Sequence, residues 1–223
     1  MRLTNADRTR VNDAVTVAEA ATDGEIVTIL AAESDAYHDV ALHWAVLAML
    51  LVLALLAAWP AAAEWLHGLA GDAWTARVPL GELFAVALVL VTLAFLVLRL
   101  ALAWRPLRLA LTPRTTKARR VRRRAIALFR ASAERRTRGR TGVLLYLSLA
   151  EHRAEIVADD AIHGRVAHEV WGDAMIALVS AVRDGRPADG MVDAVTAIGA
   201  VLAEHFPRRT DDTNELPDRL IEL

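Results

Sequence analysis

The sequence of 223 residues contains no cysteine. Disulfides and thiolate metal sites are thereby excluded, while the redox compartment stays open. Aromatic residues make up only 5% of the chain, and the formal net charge is −1. Acidic residues are almost missing from one segment: residues 105–140 carry fourteen Lys/Arg and a single acid, Glu134. The N-terminus, MRLTNADRTRVND, lacks the apolar core and small-residue cleavage site of a secretory signal. Any membrane insertion is therefore expected to use internal segments. There is also no phosphate loop of the GxxxxGK[ST] type.

Hydrophobic residues, by contrast, reach 55%, and the mean hydropathy is +0.32. No Asp, Glu, Lys or Arg stands between Asp39 and Glu64. As a helix, the run Trp44–Trp65 is about 31 Å long, close to a hydrocarbon core of about 30 Å. A second run, Leu83–Trp104, is uncharged until Arg99, which can snorkel to the headgroups. Spans are expected at about 42–63 and 83–104, with Pro60 kinking or ending the first. Trp44, Trp59, Trp65, Trp74 and Trp104 lie at or near the run ends or in the connection, as an aromatic belt would place them. A soluble bundle with two central helices is the alternative. Both runs, however, are apolar all round rather than striped.

The flanks set the orientation. The basic segment is expected in the cytoplasm, since the connection between the spans has only Arg77. Two spans return the chain to its starting side. The reading is a multi-pass membrane protein with both termini cytoplasmic.

Outside the spans the pattern is that of an α/β domain. Thr4 or Asn5 can cap an opening helix with Val11, Val15 and Ala18 on one face. EIVTILAA, Glu25 to Ala32, reads as a strand, and Ser34 or Asp35 as the cap of a helix that runs into the first span. After the membrane, Lys117 to Arg136 forms an amphipathic helix with Val121, Ala125, Leu128, Phe129 and Ser132 on one stripe. GVLLYLSL reads as a strand buried on both faces, hairpinned to AEIVAD. Two more helices follow, one from Ile162 to a glycine stop at Gly185 and one between Pro187 and Pro207. Trp171 is expected in the core.

About forty N-terminal residues are too few for a core of their own. The two flanks are therefore expected to fold together as a small mixed sheet flanked by helices, interrupted by a transmembrane hairpin. The boundaries are 1–40 and 105–206 for the two parts of this domain, 41–104 for the hairpin, and 207–223 for a charged, mobile tail.

This order of elements resembles the TPM domain family, also called the TPM phosphatase family. The resemblance rests on Thr22, Gly24 and Ile26 at the first strand, Thr141, Gly142, Val143, Leu144 and Leu145 at the second, and Gly190 and Met191 at the last helix. It covers both flanks and is similar to a bacterial membrane subgroup with two spans at this place. It implies a small sheet flanked by helices, and either weak acid phosphatase activity, calcium binding or an auxiliary role in membrane complexes. It further implies LemA-like or other TPM proteins as partners. The sequence departs from the pattern at VADDAIHG, where many members have a glycine-rich turn.

Asp159 and Asp160 end a strand, with Asp23 and Glu25 beside the first strand and Asp35 after it. Hard oxygen ligands of this kind can hold Ca or Mg. The competing reading, favoured on the sequence, is that Asp159 or Asp160 caps the next helix. His163 and His168 stand five apart rather than three or four, so structural roles are expected for them. Arg119, Arg120, Arg122, Arg123 and Arg124 set the topology and attract anionic headgroups. No aromatic residue interleaves them for nucleic-acid stacking. With no complete catalytic set visible, a non-catalytic interaction module is preferred over a weak metal-assisted phosphatase.

Overall fold

The structure, a computed structural model, describes residues 3–70, 79–132, 141–166, 168–209, 216 and 218–223. Trp74, Arg77, Glu134, Arg135, Arg136, Arg138 and Arg140 lie outside the described residues.

The chain divides into two compact units. The first joins residues 1–35 to 114–223, and the second is residues 36–113. The first unit opens with α1 (Asn5–Glu19), whose start is fixed by a capping box. Thr4 Oγ1 accepts the Asp7 N–H at 3.2 Å, and Asp7 Oδ2 accepts the Thr4 N–H at 3.0 Å. β1 (Glu25–Ala31) follows, and after the second unit come α6 (Arg114–Ser132), β2 (Gly142–Ser148) and β3 (Arg153–Ala158). Next are α7 (Asp160–His163), a short 3-10 turn (His168–Trp171), α8 (Gly172–Arg183), α9 (Pro187–His205) and β4 (Ile221–Glu222).

The sheet order is β3-β2-β1-β4. β1 runs parallel to β2, with Glu25 opposite Gly142, and β2 runs antiparallel to β3. Strands from the two sequence flanks thus lie side by side. All seven residues of β1 and of β2 are buried, because both faces of the sheet are covered. Alternate side chains sort between two cores. Ile26, Leu30, Val143, Leu145 and Leu147 pack with residues of α1, α8 and α9. Val27, Ile29, Leu144 and Tyr146 pack with Val121, Ala125 and Phe129 of α6.

α1 and α9 approach so closely that a Cβ added at Gly199 would stand 2.5 Å from the Ala18 Cβ. At Gly190 of α9 it would stand 2.8 Å from the Ala181 Cβ of α8. Glycine at these two positions lets the helix layer close over the sheet.

Three sequence expectations need correction. The helix foreseen from Ile162 to Gly185 is broken into α7, the 3-10 turn and α8. In one straight helix Trp171 would point about 140° away from Val166, at about 100° per residue. The break lets Ile162, Val166 and Trp171 all reach the same core. The tail is not loose throughout: Ile221 and Glu222 pair in parallel with Ile29 and Leu30 of β1. A two-residue strand is too short to show a period. Finally, neither Ser34 nor Asp35 caps the next helix. That helix, α2 (His38–Ala58), begins after Tyr37, which has a left-handed φ of 52° and makes no side-chain cap bond.

The second unit comprises α2, α3 (Pro60–Ala70), α4 (Leu80–Ala101) and α5 (Arg105–Ala110). α2 ends at Ala58 and α3 restarts at Pro60, whose ring cannot sit inside a continuing helix. α2 and α4 pack against each other. Trp44 Nε1 donates to the Leu111 carbonyl at 3.2 Å, and His67 Nε2 lies 2.7 Å from Glu82 Oε2. These contacts join the start of α2 to the residues after α4, and the end of α3 to the start of α4, so the hairpin is antiparallel. α2 and α4 are 21 and 22 residues long and are candidate membrane spans. Only 17% and 6% of their apolar windows are buried. Leu47, Leu50, Leu51, Leu55, Leu88, Leu93 and Leu100 are exposed. A central helix of a soluble bundle would be mostly covered.

Candidate functional site

Two polar constellations occupy opposite ends of the sheet. One lies where β1 and β2 begin and β3 ends. The pairing Glu25–Gly142 and Val143–Ala158 brings Asp23, Glu25, Asp159 and Asp160 to this end. Asp23 is engaged there: Oδ1 accepts the Arg209 N–H at 2.7 Å, and Oδ2 lies 2.6 Å from Arg209 Nε. Its carbonyl accepts the Thr141 hydroxyl at 2.8 Å. Asp159 is 6% exposed and accepts the Gly142 N–H through Oδ2 at 3.3 Å. Glu25 Oε2 accepts the Leu216 N–H at 3.2 Å. Asp160 is exposed in the first turn of α7.

The cap expected of Asp159 is half correct. Its backbone stands at the N-cap of α7, but its side chain makes no cap bond and turns to the β2 backbone instead. The foreseen set of four carboxylates is also divided. Asp35 follows the far end of β1, about 23 Å away for seven residues of strand. There Asp35 Oδ2 lies 2.9 Å from Arg120 Nη1. Asp23, Asp35, Asp159 and Asp160 therefore do not form one ligand set. Among the described residues, no group of three or more His, Asp or Glu is placed to hold a metal ion.

The second constellation sits at that far end, past the carboxyl ends of β1 and β2. Ser34 Oγ is 2.9 Å from Tyr146 Oη and donates to Ser148 Oγ at 2.9 Å. Ser148 Oγ in turn donates to Glu151 Oε2. The Ser34 N–H donates to Glu151 Oε1 at 3.0 Å. Tyr146, Ser148 and Glu151 are all buried, and burial pushes the Tyr146 hydroxyl above its ordinary value. This network clasps the segment leaving β1 onto the β2–β3 turn. Sequence reading missed it because Tyr146 and Ser148 sit inside an apolar strand and Glu151 in a hairpin turn. The available signal was their spacing of two, which puts both hydroxyls on one face of β2.

The basic patch also divides. Arg119, Arg122, Arg123 and Arg124 are exposed on α6. Arg122 pairs with Glu155 at 3.4 Å. Arg120 is half-buried and paired with Asp35, so it belongs to the sheet-end network rather than to an outward-facing surface.

Residues 106–201 match the family model described as TPM domain. The match includes α6, β2, β3, α7 and α8 and most of α9. Among solved structures, the chain is similar to the NMR structure of the BA42 protein from the psychrophilic bacterium Bizionia argentinensis, with a TM-score of 0.57 and 18% identity. That likeness covers 100% of this chain and 97% of the other, and at this identity it shows the fold. No curated protein matches.

Proposed function

We propose that this chain, which carries a TPM domain over residues 106–201, is a membrane-anchored, non-catalytic interaction module of a bacterial envelope complex. In this reading α2 and α4 cross the inner membrane, and the sheet domain and both termini lie in the cytoplasm. The anchoring rests on one observation above all. Two helices of 21 and 22 residues keep most of their leucines uncovered, and in water such apolar surface is unfavourable. The orientation rests on the basic residues that follow the second helix. The non-catalytic role is supported by the engagement of the acids: Asp23 answers Arg209 and Asp35 answers Arg120. Anionic headgroups are the lipid partners, and LemA-like or further TPM proteins the protein partners.

A second reading, a weak metal-assisted acid phosphatase or calcium-binding domain, draws on Asp159, a carboxylate buried beside exposed Asp160. Phosphomonoester turnover by the purified full chain with Ca or Mg separates the two. The module reading predicts no metal-dependent turnover beyond that of Asp159→Ala plus Asp160→Ala. Turnover that the double variant loses, while it still folds, replaces the module with the enzyme.

A further inference from the structure

One stripe of α1 and the free edge of β1 form a slot, and the C-terminal tail lies in it. Arg8 Nε and Nη2 donate to Glu222 Oε1 and Oε2 at 2.6 and 3.1 Å. The Leu220 N–H donates to Asn12 Oδ1 at 2.8 Å. Thr16 Oγ1 donates to Asp218 Oδ2 at 3.1 Å. The rungs advance by four residues along the helix and by two along the tail. Four helical residues rise about 6 Å, and two extended residues span about 6.7 Å, so the ladder stays in step. On the strand side, the Leu223 N–H donates to the Leu30 carbonyl and the Ala32 N–H to the Leu223 carbonyl, at 2.9 and 3.0 Å.

Near the next rung the chemistry changes. Glu19 Oε1 accepts the Ile26 N–H at 2.6 Å, on the same edge of β1. Among the described residues, Glu19 Oε2 is buried without a hydrogen-bond partner. Glu25 of β1 and Asp218 of the tail face it. The neighbouring cations after α9 point elsewhere: Arg208 donates to the Ala20 carbonyl and Arg209 pairs with Asp23. On α1 itself, Arg8 is held by Glu222 and Arg10 by Asp189.

We propose that residues 218–223 are a detachable latch on the edge of β1, and that seating the latch takes up a proton at Glu19. A charged Glu19 would be a buried anion held by the Ile26 N–H alone, with its second oxygen beside two carboxylates. Release of the tail removes Asp218 and admits water. The opened edge of β1 is then free to accept another strand.

Burial pushes the Glu19 carboxyl up from 4.5 to about 9, against the Ile26 N–H, with the charges of Glu25 and Asp218 adding to the rise. A carboxyl raised in the seated state holds its proton there and yields it on release. Measured against a released state in which Glu19 is fully solvated, the linked stabilisation is complete below 4.5 and is lost as pH rises towards about 9. The seating constant falls by up to tenfold per pH unit within that window.

The absence of cysteine makes a clean probe. A spin label on Leu223→Cys, in the full chain in detergent micelles, reports the immobile fraction from pH 5 to 9. An Arg8→Ala background removes one rung, bringing seating into the measurable range without touching a carboxyl. The immobile fraction should fall as pH rises, and Glu19→Gln, neutral at every pH, should flatten the profile. A flat profile in the Arg8→Ala background, or an unchanged slope with Glu19→Gln, overturns the latch.

Discussion

Asp35 Oδ2 lies 2.9 Å from Arg120 Nη1, and these two residues come from opposite sides of the hairpin in sequence. Asp35 follows the strand that precedes the hairpin, and Arg120 lies in the helix that follows it. The pair therefore ties together the two places where the chain leaves and re-enters the sheet domain. Asp35 is 39% exposed and Arg120 20%, so the tie is partly screened. A double-mutant cycle with Asp35→Ala and Arg120→Ala should give a coupling of about 0.5–1 kcal/mol in chemical unfolding of the full chain. Strictly additive losses would show that the contact does not hold the flanks together.

The α1–α9 contact should tolerate no added methyl. Gly199→Ala places a Cβ 2.5 Å from that of Ala18 and forces the helices apart. A loss of about 1–3 kcal/mol is expected, read as a lowered unfolding midpoint. Since α1 belongs to the N-terminal flank and α9 to the C-terminal one, a neutral result would contradict their close packing.

Thr28 offers the opposite sign. Its hydroxyl is buried in β1 and has no hydrogen-bond partner among the described residues. Thr28→Val keeps the branched shape and removes the unsatisfied group. The variant should be unchanged or more stable by up to about 1 kcal/mol, visible as an equal or higher Tm. A clear loss would mean that the hydroxyl has a role the fold does not reveal.

Exposed arginines of α6 should couple stability to lipid charge. The full chain in nanodiscs of anionic lipid should melt higher than in zwitterionic lipid, with the difference shrinking as salt rises. Arg119→Ala with Arg123→Ala should reduce that difference. An equal gap in wild type and variant would remove the headgroup contact from the account.

The sequence announced those parts of the fold whose signal extends over many residues, as a long apolar run or as a periodic stripe. The apolar runs, the stripe Val121, Ala125 and Phe129, and the strand Gly142–Ser148 are all of this kind. The joining of the flanks followed from a counting argument, since about forty residues with one strand between two helices are too few for a core of their own. What escaped was short or depended on distant partners. β4 has two residues and exists because the edge of β1 is open beside it. Arg8, Asn12 and Thr16 look like the wet face of α1 until the tail arrives. The acidic residues showed the same limit. Asp23 and Asp35 flank β1 and so stand at its opposite ends on the sequence alone, but only the pairing register reveals that Asp159 lies at the Asp23 end.

The central claim is that one cytoplasmic domain is built from both flanks of a membrane hairpin. Cysteine accessibility in intact cells tests it most directly, because the natural chain contributes no thiol. Val17→Cys and Ile176→Cys probe exposed positions, 73% and 70%, one on each flank. Leu69→Cys probes the hairpin near its turn, at 67%. An impermeant thiol reagent added from outside should label Leu69→Cys alone, and the other two only after the inner membrane is opened. Labelling of Val17→Cys or Ile176→Cys from outside, or a difference in sidedness between them, would contradict the account.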